Sequence, residues 1–254
     1  MATGTAVVTG AAGGIGAAVV RALAAEGRAV AALDLDAAAV KELAADLAGV
    51  RAYPVDVSQA DQVESVVAQV ERELGPVTAL VNAAGVLRTG PVTDLTDEDW
   101  HRTFAVNTTG VFNVSRAVAT RMRPRRTGSV VTVASNAATT PRAQMGAYAA
   151  SKAAARSLTK VLGLELAREG IRCNVVSPGS TDTPMLTALW ADGDTDPARV
   201  SIEGDGATFR VGIPLGRLAD PGDVAEAVLF LLSERAAHIT LHDLTVDGGA
   251  ALGN

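Results

Sequence analysis

The stretch "VVTGAAGGIGAAVVRAL", Val7 to Leu23, decides the fold. It opens as a short apolar strand, turns through a glycine-rich corner and closes on an alanine-rich pattern of helical period. Gly10, Gly14 and Gly16 stand in that corner, spaced GxxxGxG rather than GxGxxG. Glycines between strand and helix permit the tight turn and let backbone N–H groups approach a pyrophosphate at the positive end of the helix. Such corners are common in α/β proteins, so the cluster gains its weight from Asp34, which ends the next apolar run, "RAVAALD" (28–34). A carboxylate at that place accepts hydrogen bonds from adenosine ribose hydroxyls and repels a 2′-phosphate, so NAD is expected rather than NADP. The bland role for a loop aspartate, capping the following helix, suits Asp36 better than Asp34.

The alternation begun there runs through the chain. Apolar runs recur at "VRAYPVDV" (50–57), "TALVNAAG" (78–85), "GSVVTVAS" (128–135), "IRCNVVSPG" (171–179) and "DLTVDGG" (243–249), separated by amphipathic segments. Helices are expected at about 14–26, 37–47, 59–74, 97–123, 146–169 and 221–233. Strands apolar on both faces, alternating with helices, give an α/β doubly wound parallel sheet of Rossmann type, about seven strands flanked by helices. A single domain over 1–254 is expected, with no repeat or linker. The one irregular region, 184–215, mixes apolar residues with Gly, Asp and Pro, as a substrate loop or lid does.

Composition removes several function classes. The net charge of −6 opposes nucleic acid or an anionic membrane as partner. The basic cluster "RMRPRR" (121–126) reads as a solvated helix end. The single cysteine, Cys173, lies in an apolar strand, so it is expected in the core, and its being alone suits a reducing compartment. No apolar run is long enough to span a membrane and the N-terminus lacks signal-peptide character, so the cytoplasm is expected. No metal site is expected.

Ligands of a parallel sheet bind outside the carboxyl ends of its strands, here "NAAG", "TVAS" and "SPGSTDT". Ser135 closes one of them, and Tyr148, one of two tyrosines, opens the next long helix with Lys152 one turn on. A phenol has a pKa of about 10 and needs nearby positive charge to act as a base at neutral pH. Lys152 is placed to supply it, while Ser135 orients the oxygen of an alcohol losing hydride to a nicotinamide. With the glycine corner and NAAG, these residues resemble a short-chain dehydrogenase/reductase from Thr5 to Gly249.

The resemblance implies that Tyr148 is the acid/base, that Lys152 lowers its pKa and holds the nicotinamide ribose, and that Ser135 positions the substrate. It implies that Asn107, in "AVNTTG", keeps a proton-relay water in place, a role compatible with structural bonding across the sheet. It extends the cofactor site from Gly10, Gly14, Ile15, Gly16 and Asp34 to Asp56 and Val57 at the adenine. Asn82, Ala83 and Gly85 would lie along the adenosine ribose, and Pro178, Gly179, Thr181 and Thr183 by the carboxamide. It also implies a homotetramer built on the long helices and the C-terminal segment. A non-catalytic NAD-binding scaffold would show a broken Ser/Tyr/Lys set, and here the set is intact. A generic ketone or acyl-carrier reductase would prefer NADPH, against Asp34.

Arg142, in "TPRAQMGAYAASK", narrows the substrate. A guanidinium beside the reacting carbon is costly to desolvate unless it meets an anion, and a substrate carboxylate is the natural partner. Arg88, in "GVLRTG", is a second candidate, with a surface ion pair as its alternative role. "VNAAGVLRTG", "PRAQMGAYAASKAA" and "HITLHDLTVDGGAALGN" are similar to the branch of the family that oxidises 2,3-dihydro-2,3-dihydroxybenzoate for siderophore assembly. That likeness implies a cyclic carboxylate substrate, its ring walled by Met145, Met185, Leu186 and Trp190. The branch commonly reads Asp-Met-Gln after "STDT", whereas this chain has Pro184, Met185 and Leu186. Loss of an amide beside the ring leaves trans-2,3-dihydro-3-hydroxyanthranilate, which carries an amino group next to the carboxylate, as the alternative substrate.

Overall fold

A computed structural model describes residues 4–188 and 197–253. Seven strands form one parallel sheet: β1 (Thr5–Thr9), β2 (Val30–Asp34), β3 (Val50–Pro54), β4 (Val77–Asn82), β5 (Gly128–Val133), β6 (Ile171–Pro178) and β9 (Asp243–Val246). Their order is β3-β2-β1-β4-β5-β6-β9, so the direction of winding reverses between β1 and β4. A crevice opens at such a switch point, which is where the glycine corner stands.

Successive residues of each strand point to opposite faces. Ala6 and Val8 join the layer built with α1 (Gly14–Ala25) and α9 (Pro221–Leu232), whereas Val7 joins the layer under α3 (Ala60–Leu74) and α5 (Val111–Met122). Both layers are aliphatic and fully buried at their centres, as the two-faced apolar runs require. Cys173 lies in the second layer, with no exposed surface, and burial pushes its thiol up to about 12. No described helix is long and apolar enough to cross a membrane.

Two regions differ from the sequence-based expectation. The helix expected over 97–123 is two helices, α4 (Asp97–Phe104) and α5, joined by a π-helical turn at Ala105–Gly110. Such widened turns often mark functional positions, and Asn107 sits inside this one. The region 184–215 also has local structure. Pro184 and Pro197 each open a short helix, α7 (Pro184–Thr187) and α8 (Pro197–Glu203), proline being favoured in a helix's first turn. A two-stranded antiparallel hairpin follows, β7 (Gly204–Asp205) with β8 (Arg210–Val211), Asp205 facing Arg210. Elements this short carry no hydrophobic periodicity to betray them. The long helix α6 (Gly146–Leu166) and α2 (Ala37–Ala45) lie within the expected bounds.

Candidate active site

The glycine corner is built for close approach. A side chain at Gly16 would bring its Cβ to 1.9 Å from the carbonyl of Gly10, so α1 can pack on the turn only with glycine there. Gly10 and Gly14 take left-handed φ values of 65° and 52°. α1 is preceded by Gly13, which offers no side-chain cap, and has no acidic residue in its first turn, which leaves its N–H groups and dipole for an anionic group. The Asp34 carboxylate accepts the N–H of Ala12 at 2.9 Å on one oxygen and that of Asp36 at 2.9 Å on the other. This fixes its position while each oxygen keeps a further lone pair. Asp36 caps α2 through the N–H groups of Ala38 and Ala39, the role the sequence suggested. These features fit an adenine dinucleotide without a 2′-phosphate.

Asp56 holds the next turn by accepting the N–H and Oγ–H of Ser58 at 2.9 and 2.7 Å. Val57 is buried, its carbonyl accepting Nδ2 of Asn113 at 3.0 Å. The Asn82 side chain turns into the sheet–helix layer and donates to Ser115 Oγ at 3.0 Å and Thr132 Oγ1 at 3.3 Å. The NAAG turn is anchored by Thr9, whose Oγ1 accepts the N–H groups of Ala83 and Ala84 at 3.1 Å. Sequence reasoning missed Thr9, although its place immediately before Gly10 was the available signal.

Ser135, Tyr148 and Lys152 line one cavity of about 410 Å³, together with Ile15, Ala83, Gly85, Pro178, Gly179, Thr181 and Thr183. Ser135 extends past β5, its Oγ accepting the N–H of Ala137 at 3.1 Å. Burial raises the Tyr148 phenol, while the Ser135 hydroxyl pulls it the other way. Lys152 is buried and donates to the carbonyl of Val133 at 2.9 Å, and desolvation brings its pKa down to about 8. Its Nζ lies 5.8 Å from the centre of the Tyr148 ring. A positive charge beside the ring favours the phenolate form.

Asn107 is fully buried and its side chain is occupied. Its Oδ1 accepts the N–H of Val86 at 2.8 Å, and its Nδ2 donates to the Val86 carbonyl at 2.9 Å and to Ser151 Oγ at 3.0 Å. The π-helical turn thereby ties the strand end after NAAG to α6, the helix that carries the tyrosine.

Arg142, Met145, Met185 and Leu186 face the same cavity. Arg142 donates to the carbonyl of Ala250 at 3.1 Å, and burial lowers its pKa against the opposing charge of Asp247. That aspartate is itself clamped, accepting Asn136 Nδ2 at 3.1 Å and the N–H groups of Gly249 and Ala251 at 2.9 and 2.8 Å. Arg88 does not join the cavity. It is half exposed and pairs with Asp99 at 3.4 Å, as its alternative role had it. Trp190 lies outside the described residues. Among the cavity residues that sequence reasoning did not single out is a second arginine, Arg210, on β8. An arginine in an aperiodic stretch reads as solvated surface, and only the hairpin turns it inward.

Residues 10–251 match the family model adh_short_C2, described as enoyl-(acyl carrier protein) reductase. The chain is 53% identical over 250 residues to the 2,3-dihydro-2,3-dihydroxybenzoate dehydrogenase of Bacillus subtilis (strain 168), covering 97% of this chain and 95% of that protein. It is 52% identical over 198 residues to the protein of the same name from Escherichia coli (strain K12), 78% of this chain and 79% of that one. Among solved structures, the 3-ketoacyl-(acyl-carrier-protein) reductase of Brucella melitensis complexed with NADH superposes with a TM-score of 0.88 at 31% identity, covering 98% of each chain.

Proposed function

The chain belongs to the short-chain dehydrogenase/reductase family, and we propose that it is the NAD-dependent enzyme that oxidises 2,3-dihydro-2,3-dihydroxybenzoate to 2,3-dihydroxybenzoate. The observation that carries the proposal is the joint placement of the Ser135, Tyr148 and Lys152 set and the Arg142 guanidinium on one cavity. The relatives of that name, about half identical to this chain, support it. The carboxylate of Asp34 at the end of β2 supports NAD over NADP, because a 2′-phosphate would meet a fixed negative charge.

NAD, which the glycine corner, Asp34 and Lys152 would hold, would supply the hydride acceptor for the ring C3. Tyr148 takes the proton of the C3 hydroxyl, which Ser135 holds in line by hydrogen bonding to the same oxygen. Lys152 keeps the phenolate accessible by its charge and, through its bond to Val133, stays in one position. Arg142 holds the carboxylate, fixing which hydroxyl reaches Tyr148. The resulting ketone loses its C2 proton to become the catechol, and aromatisation draws the reaction forward. A catechol acid is the material of siderophore assembly. By the same reading the enzyme works in the cytoplasm as a homotetramer, with the described parts of the 184–215 segment bordering the substrate.

A generic acyl-carrier reductase, the class named in the family model's description, has no use for a desolvated arginine beside the reacting carbon. The amino analogue trans-2,3-dihydro-3-hydroxyanthranilate keeps the carboxylate and is favoured by one observation, the apolar Leu186 on the cavity wall. The test of the acid/base assignment is Tyr148→Phe. Turnover should fall by at least about a thousandfold with NAD affinity retained. Comparable turnover in the variant contradicts it.

A further inference from the structure

The cavity holds a second guanidinium that the proposed reaction leaves unused. Arg210 reaches it from β8, opposite the loop that carries Arg142. Its Nη2 donates to Ser180 Oγ at 2.8 Å, just past β6, and to the buried Ser201 Oγ of α8 at 3.3 Å. Among the described residues no carboxylate lies within ion-pair distance of either Arg142 or Arg210. Each guanidinium has five N–H donors, and the hydrogen bonds of these two use one nitrogen apiece.

Arg172 is desolvated too, yet it donates to four backbone carbonyls, those of Leu231, Leu232, Ser233 and Ile239. Its work is structural. Arg142 and Arg210 both line the cavity and have spare donors, and they are close enough for the charge of Arg142 to lower the pKa of Arg210, after burial as the first cause. Two like charges held together at the cost of desolvation are stabilised by an anion placed between them. Asp205 opposes only in part, its carboxylate being committed to Ala207 N–H and Thr208 Oγ1 at 2.9 Å each.

We infer that Arg210 is a second carboxylate-binding residue, so that the ring carboxylate is gripped between Arg142 on the β5–α6 loop and Arg210 on the hairpin. This deepens the proposed function and rests on it. A carboxylate has lone pairs enough for both forks, and a neutral substrate in the same place leaves the two guanidiniums repelling one another without compensation. Discrimination between an acid and an uncharged ring is therefore set as much by the hairpin as by Arg142. Because Arg210 also bonds Ser180 and Ser201, the bound acid joins the hairpin, α8 and the β6 end in one network.

The test is the binding of 2,3-dihydroxybenzoate and of catechol, which lacks the carboxylate, to the NADH-loaded enzyme. It is run on wild type, Arg142→Gln and Arg210→Gln, the glutamine keeping a donor for the two serines. Arg210→Gln should weaken the acid about ten- to a hundredfold, the range for a lost charge-assisted pair, and leave catechol unmoved. NADH affinity and melting temperature serve as the controls for folding. An Arg210→Gln protein that loses both ligands equally, or neither, overturns the second arginine. If Arg142→Gln still loses the acid selectively, only that inference falls. A wild type that does not prefer the acid to catechol sinks the carboxylate substrate along with it.

Discussion

Lys152 shows how one side chain sets chemistry and stability against each other. It is nearly inaccessible, and its pKa stands at about 8 because burial disfavours the ammonium. Below that pH the lysine is charged in both folded and unfolded states and the desolvation penalty is fully present. The penalty fades as pH rises from about 8 toward the unfolded value of about 10.4. Lys152→Met should therefore raise the melting temperature at pH 7. The gain is at most about 3 kcal/mol, less the lost bond to Val133, and should vanish near pH 10.5. The same variant should move the alkaline rise of the oxidation rate upward, because the phenol loses its neighbouring charge. Melting curves at the two pH values and a pH–rate profile check both signs, and an unchanged profile contradicts the role of Lys152. Tyr148, Lys152 and Ser135 were legible in the sequence because their chemistry is local to a strand end and one helical turn. Asn82 was legible only as a motif, since its inward turn depends on Ser115 and Thr132, distant in the chain.

At the scale of elements, long periodic segments were readable and short or locally distorted ones were not. α1, α3, α6 and α9 end within three residues of their expected bounds, since each buries a continuous apolar stripe. The π-helical turn was invisible, because its cause is the set of three bonds from Asn107 to Val86 and Ser151. The hairpin was equally hidden. Its first residue, Gly204, has φ 79°, and a Cβ there would stand 2.5 Å from the carbonyl of Arg210. Gly204→Ala should therefore displace β8 and its arginine. We expect the KM for the acid to rise about tenfold, as for partial loss of one charged hydrogen bond, while kcat and the melting temperature change little. A peripheral two-residue pairing contributes little to global stability. Steady-state kinetics with a melting curve decide it, and an unaltered KM separates the hairpin from the substrate.

For the whole molecule, composition and alternation were enough to give the parallel sheet and its winding reversal, because strands buried on both faces leave few other architectures. What they could not give is the way the C-terminal segment closes the site. Asp247 gathers Asn136, Gly249 and Ala251, and so brings the carbonyl of Ala250 to Arg142. The proposed homotetramer would be built from surface rather than core. Phe112 on α5 and Val161 and Leu164 on α6 are exposed, Leu164 by 69%, on the helices expected to meet in a homotetramer. Leu164→Asp should split that tetramer, read by light scattering on a sizing column, and a monomeric wild type would contradict the assembly. The central claim is tested most directly by following reduced nicotinamide as NAD is mixed with the enzyme and either cyclohexadiene acid, the dihydroxy or the amino-hydroxy compound. The account predicts rapid NAD reduction with 2,3-dihydro-2,3-dihydroxybenzoate, equimolar 2,3-dihydroxybenzoate and a higher kcat/KM than for the amino compound. No reduction with the dihydroxy acid, while NAD still binds, would contradict it.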